Sequence, residues 1–133
     1  MALTDCRGGQ KFVQGNALTV EVNAGKTIVE PRKGKKIAVD GGFLRALGGA
    51  VATATSVDIA DTTGTPVVAA ACAAAGLTQN AVLDFRAAAN VTLTTALGVP
   101  LTVNQGLQII KAGSDVATAT SVDYVVFYHY VDA

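Results

Sequence analysis

The chain has 133 residues, of which 50% are hydrophobic, 5% aromatic and 15% charged, and its formal net charge is zero. This length and composition predict one folded domain and exclude a disordered chain, which would be more charged and less apolar. The zero net charge argues against a general nucleic-acid binder, and the single histidine argues against most common enzyme plans.

Neither a secretory signal nor a membrane span is predicted. The N-terminal segment MALTDCRGGQ lacks a basic stretch followed by an apolar one. Two long uncharged stretches, 62–83 and 87–110, are interrupted by glycine, proline and asparagine, unlike a spanning helix. Cys6 and Cys72 have no CxxC spacing and no neighbouring histidine. We therefore expect two free thiols in a chain made in a reducing cytosol, in preference to a metal site or a disulfide.

Most of the chain is predicted to form short β-strands, because β-branched segments alternate with glycine, asparagine and aspartate. In chain order the predicted strands are 18–23, 26–30, 35–39, 50–60, 81–85, 91–95, 101–103, 107–111 and 116–131. The sequences NAG at 23–25 and DGG at 40–42 predict turns that accept positive φ. No strand is predicted within residues 1–17. They are either an extended N-terminal arm or part of the single β domain, 1–133.

The segment 66–81 is rich in alanine, the residue with the highest helix propensity. Pro66 suits the first turn of a helix and Gly76 suits its C-cap. A short helix over 68–75 is therefore predicted, and a strand of tightly packed small residues is the alternative.

The octapeptide VATATSVD occurs twice, at 51–58 and at 116–123. The flanking residues of the two copies do not match, so a longer tandem repeat is not indicated. We interpret the copies as strands in similar environments and as candidates for neighbours in one sheet, where small side chains suit a closely covered face.

The zero net charge conceals a separation of charge along the chain. Residues 1–50 carry an excess of four positive charges, and residues 51–133 carry an equal negative excess. Such a separation can orient a protein against a charged partner, although loop composition explains it equally well. The densest basic segment, PRKGKK, has no interleaved aromatic residue for base stacking, and it is interpreted as a solvated hairpin turn with Gly34 at its tip. Its charged residues are Arg32, Lys33, Lys35 and Lys36.

The sequence contains no recognisable catalytic, cofactor or metal motif. GKT at 25–27 lacks the first glycine of a phosphate loop, since Val20 occupies that position, and it lies between two predicted strands. His129 has no serine or cysteine beside it, so it is interpreted as a strand residue at an interface or edge. We therefore expect no enzymatic activity, no cofactor and no bound metal.

All three tyrosines, Tyr124, Tyr128 and Tyr130, lie in the last predicted strand. With a period of two they share one side of that strand, whereas Phe127 and His129 lie on the other side. Because tyrosine buries a large area at small entropic cost, we hypothesise that the tyrosine side is a self-association face. A β domain this poor in charge favours a homo-oligomer, or docking onto a larger assembly.

The C-terminal part of the chain resembles the end of the head-decoration (capsid cement) proteins of tailed bacteriophages. The likeness lies within 90–131, in the strand NVTLTT, the turn GVPLTVNQGLQI and the strand ATATSVD followed by alternating aromatic residues. The resemblance implies a β-sandwich or jelly-roll fold, here an all-β domain of eight to nine short strands with at most one short helix. The basic N-terminal half has no counterpart in the resemblance.

The resemblance also implies a function. The chain would be a structural virion protein, made in the host cytoplasm, that binds the outside of an assembled head and stabilises the junctions between capsomers. Its partners would be the major capsid protein and itself, as a dimer or trimer, with neither nucleic acid nor membrane, and the basic turn would contact an acidic capsid surface. The alternative is a receptor- or glycan-binding β module of a phage fibre or tail, against which the absence of tryptophan counts.

Overall fold

Strands account for most of the described chain, which comprises residues 9–87 and 89–133 of a computed structural model. A six-residue helix, α1 (Thr19–Ala24), and a 3-10 turn at Ala74–Gly76 are the helical elements of this part. The strands are β1 (Lys11–Leu18), β2 (Lys26–Val29), β3 (Lys35–Leu47), β4 (Val51–Asp61), β5 (Val68–Ala73), β6 (Val82–Asp84), β7 (Val91–Leu93), β8 (Leu107–Thr118) and β9 (Ser121–Asp132). The all-β prediction is confirmed.

The strands form two antiparallel sheets packed face to face. Sheet 1 has the order β1-β9-β3-β6, and sheet 2 has the order β2-β8-β4-β5-β7. With β7 counted as an additional short edge strand, this order is that of an eight-stranded jelly roll. The core between the sheets contains Leu44 and Val126 from sheet 1 and Ile59 and Ile109 from sheet 2, all fully buried.

The beginning of the chain differs from the prediction. Residues 11–17 lie in β1, so this part of the predicted arm belongs to the sandwich, whereas residues 1–8 lie outside the described residues. Of the predicted strand 18–23, Leu18 ends β1 and the remaining residues lie in α1. The Glu21 carboxylate of α1 accepts a hydrogen bond from the Leu18 N–H at 2.8 Å. The strand signal in β1 is weak because β1 is an edge strand, in which only Ala17 is fully buried.

The alanine-rich segment is a strand. β5 occupies most of the predicted helix 68–75, so the helix prediction is wrong and the alternative of a small-residue strand is correct. β5 pairs with β4 on one side and with β7 on the other, and its Ala70 and Cys72 are fully buried. Pairing within the sheet therefore overrides the helix propensity of alanine.

Three other predictions about strands and turns are wrong. Residues 119–120 divide the predicted strand 116–131 between β8 and β9. Residues 40–42 do not form a turn but continue β3, with a register shift between Val39 and Gly41. Residues 101–103 lie in a loop, although the preceding residue, Pro100, forms an isolated bridge with Ala38.

The two VATATSVD copies occupy equivalent environments. Val51 and Val116 are equally buried, and Thr53 and Thr118 both have positive φ, at 64° and 73°. β4 and β8 are neighbours in sheet 2, where Val51 is paired with Thr118. The copies therefore meet at their first three residues in neighbouring strands, as interpreted, whereas residues 121–123 of the second copy lie in β9 of sheet 1.

Asp61, which is fully buried at the end of β4, holds two loops in place. Its Oδ1 accepts hydrogen bonds from Thr63 Oγ1 at 2.6 Å and from the Val67 N–H at 2.9 Å, and its Oδ2 accepts one from Thr102 Oγ1 at 2.5 Å. Burial by itself raises the pKa of Asp61, but these hydrogen bonds to the charged carboxylate outweigh it and lower the pKa.

We expect Asp61→Asn to destabilise the fold at neutral pH by about 3 kcal/mol, because an amide cannot accept this set of charge-assisted hydrogen bonds. A carboxyl group whose folded pKa is lowered adds stability above its unfolded pKa, and this stability is lost as the pH falls through the folded value. The difference in free energy of unfolding between wild type and Asp61→Asn should therefore shrink as the pH falls below 3.8, the ordinary pKa of this carboxyl group.

Urea unfolding at a series of pH values measures this difference. Asp115→Asn is the matched control, since that carboxylate is 74% exposed and its ion pair with Lys111 contributes at most about 1 kcal/mol. A difference between wild type and Asp61→Asn that stays constant down to strongly acidic pH would contradict the prediction.

Candidate functional site

The outer face of sheet 1 carries an apolar surface. Phe12, Val82 and Phe127 are 60%, 58% and 38% exposed. The β1–β9 register pairs Phe12 with Phe127, and the two ring centroids lie 6.3 Å apart. Phe43 and Val125 are paired between β3 and β9 and lie on the same side of the sheet. We call these five residues the outer sheet face.

A groove of about 520 Å³ crosses the outer sheet face, and Phe43, Val82 and Val125 line it. One end of the groove is polar, because the Arg45 guanidinium donates a hydrogen bond to the Asp123 carboxylate at 2.7 Å. Asn16 Nδ2 donates to the other carboxylate oxygen of Asp123 at 2.8 Å. The hydrogen bond from Asn16, followed by that from Arg45, lowers the pKa of Asp123.

A second depression, of about 530 Å³, lies at the other end of β9. His129 Nδ1 is 2.8 Å from Asp40 Oδ2, and the Arg86 guanidinium donates to the Asp40 carbonyl oxygen at 3.0 Å. The remaining lining residues, Gln10, Leu97 and Gly98, supply no hydroxyl or thiol nucleophile. The depression thus offers hydrogen-bonding groups to a ligand or a partner, without the parts of a nucleophilic site.

Sequence reasoning missed the grouping of Asp40 and Arg86 with His129. Asp40 was placed in a turn, but it lies at the register shift in β3, opposite the strand that carries His129. Arg86 follows β6, the edge strand on the other side of β3. The Asp-Gly-Gly sequence is the one local signal of such an irregularity, since glycine inside a strand marks a bulge or a close approach.

The predicted basic turn lies between β2 and β3. These strands belong to different sheets, so the segment is a connection between sheets and not a hairpin, although Gly34 has the positive φ of 75° expected at a turn. Arg32 and Lys33 are exposed, Lys36 is half-buried, and Lys35 forms an ion pair with Asp132. We call Arg32, Lys33, Lys35 and Lys36 the basic connection.

The predicted tyrosine face is not on the surface. Tyr124 and Tyr128 are only 5% and 8% exposed and pack in the core, which corrects their assignment to a self-association face. The predicted division of β9 into two sides is right, but both sides are bulky, so the pattern did not show which side is buried. Tyr130 is half-buried at the end of the core, and the Arg32 guanidinium lies 4.2 Å from its ring centroid. The basic connection and Tyr130 therefore meet in a cation–π contact.

Within residues 9–87 and 89–133, no cluster of three or more histidine, cysteine or acidic side chains could hold a metal ion. The helices of the same residues include none that is long and apolar enough to cross a membrane. Burial, and secondarily the charge of Asp58, raises the pKa of the Cys72 thiol to about 12. Cys6, the other predicted free thiol, lies outside the described residues.

Replacing two adjacent residues of β9 should show which of them lies in the core, because only the core replacement should cause a large loss of stability. We expect Tyr128→Ala to destabilise the fold by about 3 kcal/mol, because it removes a buried aromatic ring. Phe127→Ala should change stability by less than about 1 kcal/mol, because its ring lies on the outer sheet face. Thermal unfolding of both variants tests this assignment, and a larger loss for Phe127→Ala would reverse it.

The thiol of Cys72 should resist alkylation in the folded protein. At mildly alkaline pH almost no thiolate forms when the pKa is about 12, and the side chain is fully buried. Iodoacetamide labelling followed by peptide mapping should modify Cys72 at least about 100-fold faster in guanidinium chloride than in buffer. Equal labelling rates in both conditions would show that the thiol is accessible.

Comparisons with known proteins found no match for this chain. It matches no protein-family model, no curated protein and no solved structure. The jelly-roll topology is shared by viral capsid domains, lectins and cupins, so the fold alone does not select a function. The outer sheet face, the two depressions and the basic connection are the features from which a function can be argued.

Proposed function

We propose that this chain is a structural virion protein, a capsid decoration or cement protein that binds the outside of an assembled phage head and stabilises capsomer junctions. The observation that carries the proposal is the outer sheet face, with Phe12, Val82 and Phe127 exposed on one side of a paired sheet. The resemblance of residues 90–131 to phage decoration proteins supplies the class of partner.

The outer sheet face has the anatomy of a protein-binding surface, an apolar centre with polar groups at its ends. The Arg45–Asp123 pair lies at one end, and the His129–Asp40 pair lies at the other. In both pairs the acid already has a partner within the chain. A protein surface can therefore cover these groups without leaving either carboxylate without a hydrogen bond, which would be costly.

The basic connection would guide the chain to an acidic capsid surface. Arg32 and Lys33 are exposed. Charges of this kind raise the rate of encounter with an oppositely charged surface, and their effect falls as salt is added. Lys35 contributes less to such guidance, since Asp132 already neutralises it.

A binder of this kind stabilises the head by mass action. If the chain binds a surface that exists only when neighbouring capsid subunits are assembled, it shifts the equilibrium toward the assembled head. Each contact need be only of modest size, about 1,000 Å². Several contacts made by one oligomer then add through effective concentration.

The depression around His129 favours the second candidate, a receptor- or glycan-binding β module of a fibre or tail. Gln10, Asp40, Arg86 and His129 place donors and acceptors around one concavity, as a site for polar ligands requires. Exposed aromatic residues are absent from its lining, however, and the two exposed phenylalanines lie on the outer sheet face.

The proposal is tested by binding to heads of the phage that carries this gene, prepared without the protein. We expect the double variant Phe127→Ser, Val82→Ser to bind at least about 10-fold more weakly in co-sedimentation, because it removes apolar contact area. Val20→Ser is the matched control, since Val20 is 70% exposed on α1, outside the outer sheet face.

Charge reversal at Arg32 and Lys33 should slow association with the heads most strongly at low salt.

Cryo-electron microscopy of wild-type particles should show density for the chain on the head exterior. Equal binding of all variants would refute the role of the outer sheet face. Retention on a glycan array, together with no binding to heads, would favour the second candidate.

A further inference from the structure

Within the part of the chain that the structure describes, some backbone hydrogen-bonding groups on the outer edge of β1 have no partner. The Ala46 carbonyl oxygen of β3 accepts a hydrogen bond from the Asn80 N–H and so points away from β9. The registers of β3 and β1 with β9 then fix the residues of β1 that face β9 as odd-numbered. The N–H and C=O groups of the even-numbered residues therefore point away from the sheet. Leu18 confirms this, since its N–H donates to Glu21 and not to β9.

Side chains of the described residues close only one half of this edge. Glu21 accepts from the Leu18 N–H, and Lys26 Nζ lies 3.4 Å from the Asn16 carbonyl oxygen. For Phe12 and Gln14, no described residue supplies a partner to the outward N–H and C=O groups. With respect to residues 9–87 and 89–133, this edge is open over 11–15 and is blocked beyond that by Lys26 of β2 and Glu21 of α1. It is a short template for an added strand.

We propose that β1 is a dimerisation edge, at which β1 of a second copy of this chain adds antiparallel to sheet 1 about a twofold axis at Val13. The axis places Phe12 of each copy opposite Gln14 of the other. In each such pair, the N–H of Phe12 would donate to the C=O of Gln14, and the N–H of Gln14 would donate to the C=O of Phe12. The twofold axis creates two of these pairs. The result is one continuous eight-stranded sheet.

A second copy fits this edge because the open window 11–15 maps onto itself under the twofold axis. Lys11, the first residue of the strand, falls opposite Gly15, the last open residue. A longer strand of another protein would meet Lys26 at Asn16 and Glu21 at Leu18.

The twofold axis is perpendicular to the sheet, so both outer sheet faces lie on one side of the dimer. Phe12 of one copy then lies between its own Phe127 and Gln14 of the other copy. The pairing concerns few residues and no large apolar area, so we expect a dissociation constant in the micromolar range. Dimerisation of this kind is a property of the isolated chain and does not depend on capsid binding.

Sedimentation velocity of the full chain over a range of concentrations tests the proposal, with Gln14→Pro as the key variant. Proline removes the outward N–H but no hydrogen bond to β9, so the monomer should keep its fold, which circular dichroism checks. We expect Gln14→Pro to weaken dimerisation at least about 10-fold. Gln14→Ala, which keeps the N–H, should dimerise like wild type.

Amide hydrogen exchange of the wild-type chain gives a second measurement that requires no variant. The Phe12 and Gln14 amides should exchange rapidly in dilute solution and become protected as the concentration rises. A monomer at all concentrations, or a dimer unaffected by Gln14→Pro, would overturn the proposal. Protection that is independent of concentration would also overturn it, because the edge would then be covered by the chain's own residues.

Discussion

The pairing of β9 on both of its edges is the constraint on which the rest of the structure depends. β9 lies between β1 and β3 in sheet 1, and it pairs with β3 along its length and with β1 over 121–128. A strand held on both sides must send alternate residues to opposite faces. Val126 therefore enters the core while Phe127 is exposed. The core and the outer sheet face thus result from the same register.

The same alternation explains what the sequence could and could not predict about β9. The period of two correctly divides Tyr124 and Tyr128 from Phe127, and the all-β class follows from many such segments. The side that faces the core depends on sheet 2, which packs against β9 from residues distant in sequence. A strand with bulky residues on both sides carries no local signal for that choice, so the tyrosines were assigned to the surface.

Edges and irregularities were the other features that local patterns did not show. β1 has a polar centre, Gln14 to Asn16, and gains its strand conformation from β9. β5 is a strand although alanine favours helices, because β4 and β7 hold both of its edges. The His129–Asp40 pair depends on a register shift in β3 that joins residues 89 positions apart. In each case a contact distant in sequence outweighs a local preference.

A jelly roll leaves edges that a closed barrel does not have, and the ends of sheet 1 differ in how they are treated. β6 is a three-residue strand, and such a short edge offers little to an incoming strand. β1 is eight residues long, and Glu21 of α1 and Lys26 of β2 shield only its last part. The apolar surface and the open edge therefore meet at Phe12. A chain with both features on one side of one sheet is suited to bind other proteins, because strand addition sets the orientation of the apolar faces and places them side by side.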